Sequence, residues 1–286
     1  MEKFLAACVQ MRTGRSVSEN LEVCETLVRM AAGGGARYIQ TPEMTNLLEK
    51  DRRSQLTKSS REESDLFLKR LLPLAAELGV WLHLGSLAIK VRDDKLVNRG
   101  FFISPKGEII QRYDKVHMFD VNLPNGETWC ESSTYESGSR VSVIHTAVAS
   151  IGMAICYDLR QPAIFREQAK AGAQILTAPS AFTRQTGEAH WHVLQRARAI
   201  ENGAYMISAA QGGDHEDGRS TFGHSMVVDP WGKVVAELDH RKPDVLFAEI
   251  DLKNVAGARK RIPALANEKA FVIQEVSALG AEEIQT

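Results

Sequence analysis

The stretch SIGMAICYDLRQPAIFREQAKAGAQILTA, from Ser150 to Ala178, decides the fold. Residues 150–155 are a short apolar run, the length of a buried strand. Pro162 then heads a helix over 162–171, where its fixed φ and missing N–H suit the first turn. Residues 174–178 form a second apolar run. Strand, helix and strand in one stretch make the repeating unit of α/β architecture.

The alternation recurs on both sides. Residues 4–11 read as a strand. Residues 17–32 read as a helix, with Ser16 as N-cap and Glu19 completing a capping box, and Gly33-Gly34-Gly35 ending it. A short strand follows at 37–40. Residues 62–78 carry an amphipathic helix built on Leu66, Leu68, Leu71, Leu72 and Leu74, with Pro73 as a potential kink and Gly79 as its stop. Strands at 81–89, 96–103 and 108–113 come next, the last two joined by a turn at Pro105-Lys106-Gly107. Residues 117–138 lack periodicity and read as a long loop, a feature usually tied to function or disorder. A strand at 141–145, a helix at 188–202 and a strand at 204–210 follow. A hairpin of 224–229 with 233–238 turns about Pro230-Trp231-Gly232, and the last strand is 245–250. The tail from Asn254 reads as part helical, part extended.

No Pro/Ser-rich linker or repeat divides the chain, so a single α/β domain with mixed sheets is expected. The 286 residues include 35 Lys and Arg against 36 Asp and Glu. That balance lacks the positive excess of a general nucleic-acid or anionic-membrane binder. The 4 cysteines, Cys8, Cys24, Cys130 and Cys156, are far apart and form no C-x-x-C pair, which suits free thiols in a reducing, cytoplasmic setting. Leu5-Ala6-Ala7-Cys8 has the look of a lipoprotein cleavage box. The apolar stretch before it is shorter than the ~7–15 residues of a signal core, so it reads as strand.

Ligand sites in open α/β folds lie beyond the carboxyl ends of strands. Three such places carry reactive side chains. Cys156 sits where a strand turns into a helix, a bend where backbone N–H groups can favour a thiolate and hold an oxyanion. Glu43, after the second strand, could serve as its base, and Lys115, after the fifth, could meet developing negative charge. Each has a plainer reading too: a buried structural cysteine, a solvated carboxylate, a surface ammonium.

Taken together the three segments, Pro42-Glu43, Asp114 to Asp120, and Gly152 to Arg160, resemble the three catalytic motifs of the nitrilase (carbon–nitrogen hydrolase) superfamily in order and spacing. The resemblance runs from Phe4 to about Ile262. It implies an α-β-β-α sandwich over residues 1–262, with the tail 263–286 at a subunit interface of a homodimer or higher homo-oligomer. It also implies a catalytic set of Glu43, Lys115 and Cys156, with Glu131 as the second family glutamate and Glu136 as a rival for that role. Within the superfamily the chain is most similar to the Nit-type amidase branch, whose enzymes act on ω-amides and on deaminated glutathione. The supporting segments include Pro179 to Thr183, Thr186 to Trp191, Arg196 to Glu201 and Gly223 to Gly232.

The implied activity is hydrolysis of an amide bond in a small carboxylated amide, through a cysteine thioester, with ammonia as the leaving amine. N-carbamoyl amino acids or nitriles are the alternative substrates, and a non-catalytic scaffold is the third reading. The chemistry needs neither metal nor organic cofactor, and it involves neither nucleic acid nor membrane. Substrate contacts are expected from Tyr157, Arg160, Phe182, Thr183 and Thr186, with Arg184 a further candidate. Departures from the branch pattern are Gln161 and Ala163 after the nucleophile motif, Asp114 before Lys115, and a tail without the Arg-rich ending. A Cys–His dyad using His117 or His224 is the competing base assignment. A zinc site from His190 and His192 fits poorly, because an i, i+2 pair on a helix points to different faces.

Overall fold

A computed structural model describes residues 3–123 and 126–276. Met1-Glu2 and the end of the expected interface tail, 277–286, lie outside the described residues. The strands are β1 (Lys3–Gln10), β2 (Tyr38–Gln40), β3 (Trp81–Arg92), β4 (Lys95–Ile103), β5 (Ile109–Asp114), β6 (Asp120–Asn122), β7 (Thr128–Cys130), β8 (Tyr135–Glu136) and β9 (Ser142–His145). They continue with β10 (Ser150–Met153), β11 (Ile175–Thr177), β12 (Tyr205–Ser208), β13 (Gly212–Asp214), β14 (Ser220–Phe222), β15 (Met226–Val228), β16 (Val234–Glu237) and β17 (Asp244–Asp251). The helices are α1 (Val17–Gly33), α2 (Arg52–Lys58), α3 (Leu66–Leu78), α4 (Pro162–Lys170), α5 (Arg184–Asn202) and α6 (Lys253–Arg261).

Two sheets form the centre. One runs β17-β1-β2-β3-β4-β5, with β8 beside β4; the other runs β16-β15-β12-β11-β10-β9. Each has a parallel heart, β1-β2-β3 and β10-β11-β12, flanked by antiparallel strands. Alternation along β1 shows how the layers stack. Phe4, Ala6 and Cys8 pack with Ile151, Met206 and Val227 of the second sheet. Ala7 and Val9 point the other way, against Leu27 and Val28 of α1 and Phe67 and Leu71 of α3. On the far side Phe165 of α4 and Trp191 of α5 cover the second sheet. The result is the expected α-β-β-α sandwich. No helix of the described residues is long and apolar enough to cross a membrane.

Local chemistry explains where the elements depart from expectation. The 62–78 segment splits, because Asp65 accepts the Leu68 N–H at 3.1 Å and caps a fresh helix after a short 3-10 turn at Glu62–Ser64. Helix α5 begins at Arg184, since Thr183 caps it by accepting the Thr186 N–H at 3.3 Å. Helix α2 was not foreseen: Asp51 caps it, but it buries none of its residues and so leaves no apolar stripe to read. Within the supposed long loop 117–138 the described residues form a wall holding β6, β7, a 3-10 turn at Glu131–Ser133 and β8. The tail is helical through α6, then lacks regular structure to 276, where Phe271, Val272, Ile273 and Val276 are exposed.

Candidate active site

The carboxyl ends of β2, β5 and β10 meet at one point between the sheets. Glu43 follows β2, Lys115 follows β5, and Cys156 lies just past β10; all three are buried. Lys115 Nζ donates to Glu43 Oε1 at 2.9 Å and to Glu131 at 2.8 and 3.1 Å, so one ammonium is shared by two carboxylates. Cys156 stands beside Glu43, close enough for the carboxylate charge to act on its thiol. The structure therefore gathers the four residues Glu43, Lys115, Cys156 and Glu131. Glu136 is elsewhere, paired with Arg92.

Side chains and backbone outside this cluster hold it in place. Asn98 Nδ2 donates to Glu43 Oε1 at 2.9 Å and to Glu131 Oε1 at 3.1 Å. The Ala181 N–H donates to Glu43 Oε2 at 2.8 Å, and the Phe119 N–H to Glu131 Oε2 at 2.7 Å. The Lys115 backbone is clamped by its own N–H to Asn98 O and by Gly138 N–H to its carbonyl. Gly85 explains how close the sheets come. A Cβ there would lie 2.1 Å from Thr41 O, 2.5 Å from Pro179 Cβ and 2.6 Å from Pro42 O. Thr41 and Pro42 lead to Glu43, while Pro179 O accepts the Cys156 N–H at 3.0 Å. Only glycine allows that approach.

Cys156 has φ +46°, a left-handed conformation that a side chain adopts at a cost of about 1–3 kcal/mol. Asp158 helps to hold the bend. Its fully buried carboxylate accepts the Tyr113 hydroxyl at 2.7 Å, the Ile155 N–H at 3.0 Å and the His117 N–H at 3.0 Å, and it contacts His117 Nδ1 at 2.8 Å. This strut ties the cysteine bend to the Lys115 segment. A five-residue 3-10 turn, Cys156–Arg160, follows the bend, with α4 after it. The Tyr157 N–H lies in the first turn, where no intrahelical acceptor exists.

Charge states follow from these contacts. Burial disfavours charge on Glu43, but the Lys115 ammonium and hydrogen bonds outweigh it and hold the carboxyl below its usual range. Burial also works against the Lys115 charge; the Glu131 and Glu43 carboxylates overcome it and push the ammonium pKa well up. For Cys156 burial comes first and the Glu43 charge second, and both drive the thiol pKa well up. Sequence reading expected the bend to favour a thiolate. Instead a neutral thiol rests beside an ionised base.

Above the cluster opens a cavity of about 510 Å³. Tyr157, Arg160, Phe182, Thr183 and Thr186 all line it, whereas Arg184 does not and pairs with Glu188. The two threonine hydroxyls sit 2.9 Å apart in the α5 cap, so part of their bonding capacity is spent on the helix. Arg160 lies over the Tyr157 and Phe182 rings at 5.8 and 5.3 Å. Its polar partner is His190 Nδ1 at 3.2 Å, and among the described ion pairs it has no carboxylate. Neither competing histidine takes the base position: His117 is bound to Asp158 and His224 to Glu237.

Sequence reading missed Asn98, the Tyr113–Asp158 strut, and the cavity residues Lys50, Trp129 and Arg219. Asn98 had one available signal, a polar residue on the strand face that Leu96, Gly100 and Phe102 otherwise leave apolar. Arg219 and Lys50 approach Trp129 from segments far apart in sequence, 5.2 and 5.6 Å from its ring, which no spacing announces.

A family model described as carbon–nitrogen hydrolase matches residues 5–260. A protein named probable hydrolase nit2 from Schizosaccharomyces pombe is 38% identical, covering 93% of this chain and 98% of that one. Human deaminated glutathione amidase is 39% identical, covering 93% of this chain and 82% of its own length. Among solved structures, the C. elegans NitFhit protein superposes with a TM-score of 0.88 at 33% identity, covering 94% of this chain and 66% of that longer one.

Proposed function

The chain belongs to the carbon–nitrogen hydrolase family and is an amidase, and on that premise we propose that Cys156, Glu43, Lys115 and Glu131 are its catalytic machinery. The observation that carries the reading is the buried Lys115 ammonium shared by Glu43 and Glu131, with the Cys156 thiol beside Glu43 and the cavity above them. An ordinary structural ion pair would need no thiol on its carboxylate and no cavity above it.

The steps follow from the resting charges. Glu43 accepts the thiol proton as Sγ bonds to the amide carbon. The carbonyl oxygen becomes an oxyanion, met by the Lys115 ammonium and the Tyr157 N–H. Collapse breaks the carbon–nitrogen bond, and Glu43 returns the proton to the departing amine. Water then adds to the thioester, giving a proton to Glu43. The carbon–sulfur bond breaks, and the proton passes back to sulfur. Glu131 holds Lys115 in place and balances its charge throughout.

The substrate in this reading is a small carboxylated amide, either deaminated glutathione or a similar ω-amide. Arg160, a cavity guanidinium without a carboxylate partner among the described residues, suits a substrate carboxylate. Tyr157 and Phe182 flank it with apolar surface, and Thr183 and Thr186 edge the same wall. A primary ω-amide releases ammonia. The amide of deaminated glutathione is secondary, so its leaving amine is that of a dipeptide.

We place residues 1–262 in the hydrolase domain and the tail in a subunit interface of a homodimer. Exposed apolar residues support this: Phe271, Val272, Ile273 and Val276 in the tail, with Val193, Ile200 and Trp231 on and beside α5. The four free cysteines suit a reducing compartment, taken as cytoplasm. The test is a substrate panel with wild type and Cys156→Ala: deaminated glutathione, α-ketoglutaramate, an N-carbamoyl amino acid and a nitrile. Turnover of the first, lost in the variant, is expected. Turnover of the second alone assigns an ω-amidase. Turnover only of the carbamoyl compound or the nitrile refutes the amide assignment. Sedimentation velocity checks the dimer.

A further inference from the structure

Outside the cavity above Cys156, three side chains of three different elements converge. His192 projects from α5, His224 from the segment before β15, and Glu237 ends β16. His192 Nε2 lies 2.8 Å from Glu237 Oε1, and His224 Nδ1 lies 2.5 Å from the same oxygen. All three ligand atoms fall within 4.8 Å of one another. None of the three residues lines the cavity above Cys156.

From this cluster we infer a divalent transition-metal site of the zinc class, with His192, His224 and Glu237 as its protein ligands. Two imidazoles and one carboxylate are the donor set that suits zinc, at roughly 2.0–2.1 Å per bond. Tetrahedral ligands at that radius stand about 3.3 Å apart, so the three atoms need only a slight opening. Charge points the same way. Among the described ion pairs Glu237 meets only these two histidines, with no Lys or Arg.

The surroundings fix the rings. The His224 ring stacks on Phe222 at 4.3 Å and on His240 at 6.1 Å, and the His192 ring meets Phe222 edge-on at 5.9 Å. His224 has φ +55° directly after Gly223 at +70°, and its carbonyl accepts the Trp191 Nε1–H at 2.9 Å. All three ligands retain partial solvent access, which leaves room for an ion to enter and keep water in its remaining positions. His190, two residues from His192, faces Arg160 instead and takes no part. A bound ion would pin α5 to the β15–β16 edge.

The experiment uses the full chain with Cys130→Ser and Cys156→Ser, so that thiolates cannot take the metal. The protein is stripped with chelator and titrated with Co2+ followed by optical absorption, with Zn2+ displacement, and with Zn2+ in a thermal-melting series. One equivalent is expected to bind with a dissociation constant of about 10 µM or tighter, and to raise the melting temperature. Glu237→Gln keeps the side-chain shape, and His224→Asn tolerates the left-handed backbone; each is expected to weaken binding by about tenfold or more. Dissociation weaker than the micromolar range, or binding that neither substitution alters, overturns the assignment.

Discussion

Glu43→Gln tests the proposed mechanism most directly. In the resting site the Cys156 thiol pKa is pushed up first by burial and then by the Glu43 charge. The substitution removes the second push and the proton acceptor together. The thiol pKa then moves down, but burial, the larger push, remains and keeps it above its ordinary 9.0, so less than about 1% is thiolate at pH 7. Attack must proceed through that small fraction. Loss of a positioned base costs about 10²–10⁴-fold, so kcat/KM at pH 7 should fall in that range. It should then rise about tenfold per pH unit toward pH 9, as solvent forms the thiolate that Glu43 no longer generates. Wild type should stay nearly flat there, because its base is already ionised.

The glutamine also has one acceptor oxygen where the carboxylate had two. It cannot serve both Lys115 and Asn98 on one side and Ala181 on the other. One buried donor goes unpaired at about 1–3 kcal/mol, lowering Tm by about 2–4 °C per kcal/mol in a chain of this size. The assay is initial rates of amine release across pH 6–9, with iodoacetamide alkylation of Cys156 and Tm as controls. A folded variant that keeps a tenth of wild-type activity, or whose pH profile parallels wild type, would place the base elsewhere.

Four more outcomes are expected. Arg160→Ala should raise KM for a carboxylated amide about 10–100-fold with little change in kcat, and Arg160→Lys should fall between, since an ammonium keeps charge but not the fork; equal loss in kcat would refute a binding role. Asp158→Asn leaves the Tyr113, Ile155 and His117 donors underserved and should cost about 2–4 kcal/mol in urea unfolding, with Tyr113→Phe costing about 1 kcal/mol. Glu49 is buried and accepts from Arg15, Ser54 and Lys58; these bonds outweigh the burial that opposes its charge and hold its pKa at about 2, against 4.5 for a free carboxyl. Its stabilisation, roughly 3 kcal/mol by linkage, is therefore full above pH 4.5 and lost as pH falls toward 2, so Glu49→Gln should be less stable at pH 7 and nearly equal to wild type near pH 2. Gly85→Ala should destabilise by about 1–3 kcal/mol or more through backbone overlap and depress kcat in whatever fraction folds, measured by active-site titration.

Sequence could show the site to the extent that its residues follow strands. Glu43, Lys115 and Cys156 each follow a strand, which made them candidates, and the resemblance of their three motifs to a known family joined them before geometry did. Asn98 and Asp158 were obscure for a different reason. Each acts through partners far away in the chain, Glu43 and Glu131 for one and Tyr113 and His117 for the other. Their residue types alone fit any strand or turn. The wall over 117–138 was unreadable because its strands are only two or three residues long, too short for a period to register. Helix α2 was hidden by the absence of a buried face. Of the arginines that line the cavity only Arg160 sits within a motif; Arg219 arrives from the β13–β14 hairpin, whose segments are three residues each.

The protonated resting state of Cys156 also bears on oxidation. Peroxides and similar oxidants attack thiolates, and a thiol that ionises only as it bonds to an amide carbon offers them little between turnovers. Cys8 is sealed in the core with its thiol pushed up to about 12, and Cys24 is buried and pushed up likewise. Of the four free cysteines only Cys130 is exposed. It stands at the end of β7, next to Glu131, on the wall of the cavity. Oxidative damage would therefore begin on the wall that positions Lys115 and leave the nucleophile itself intact.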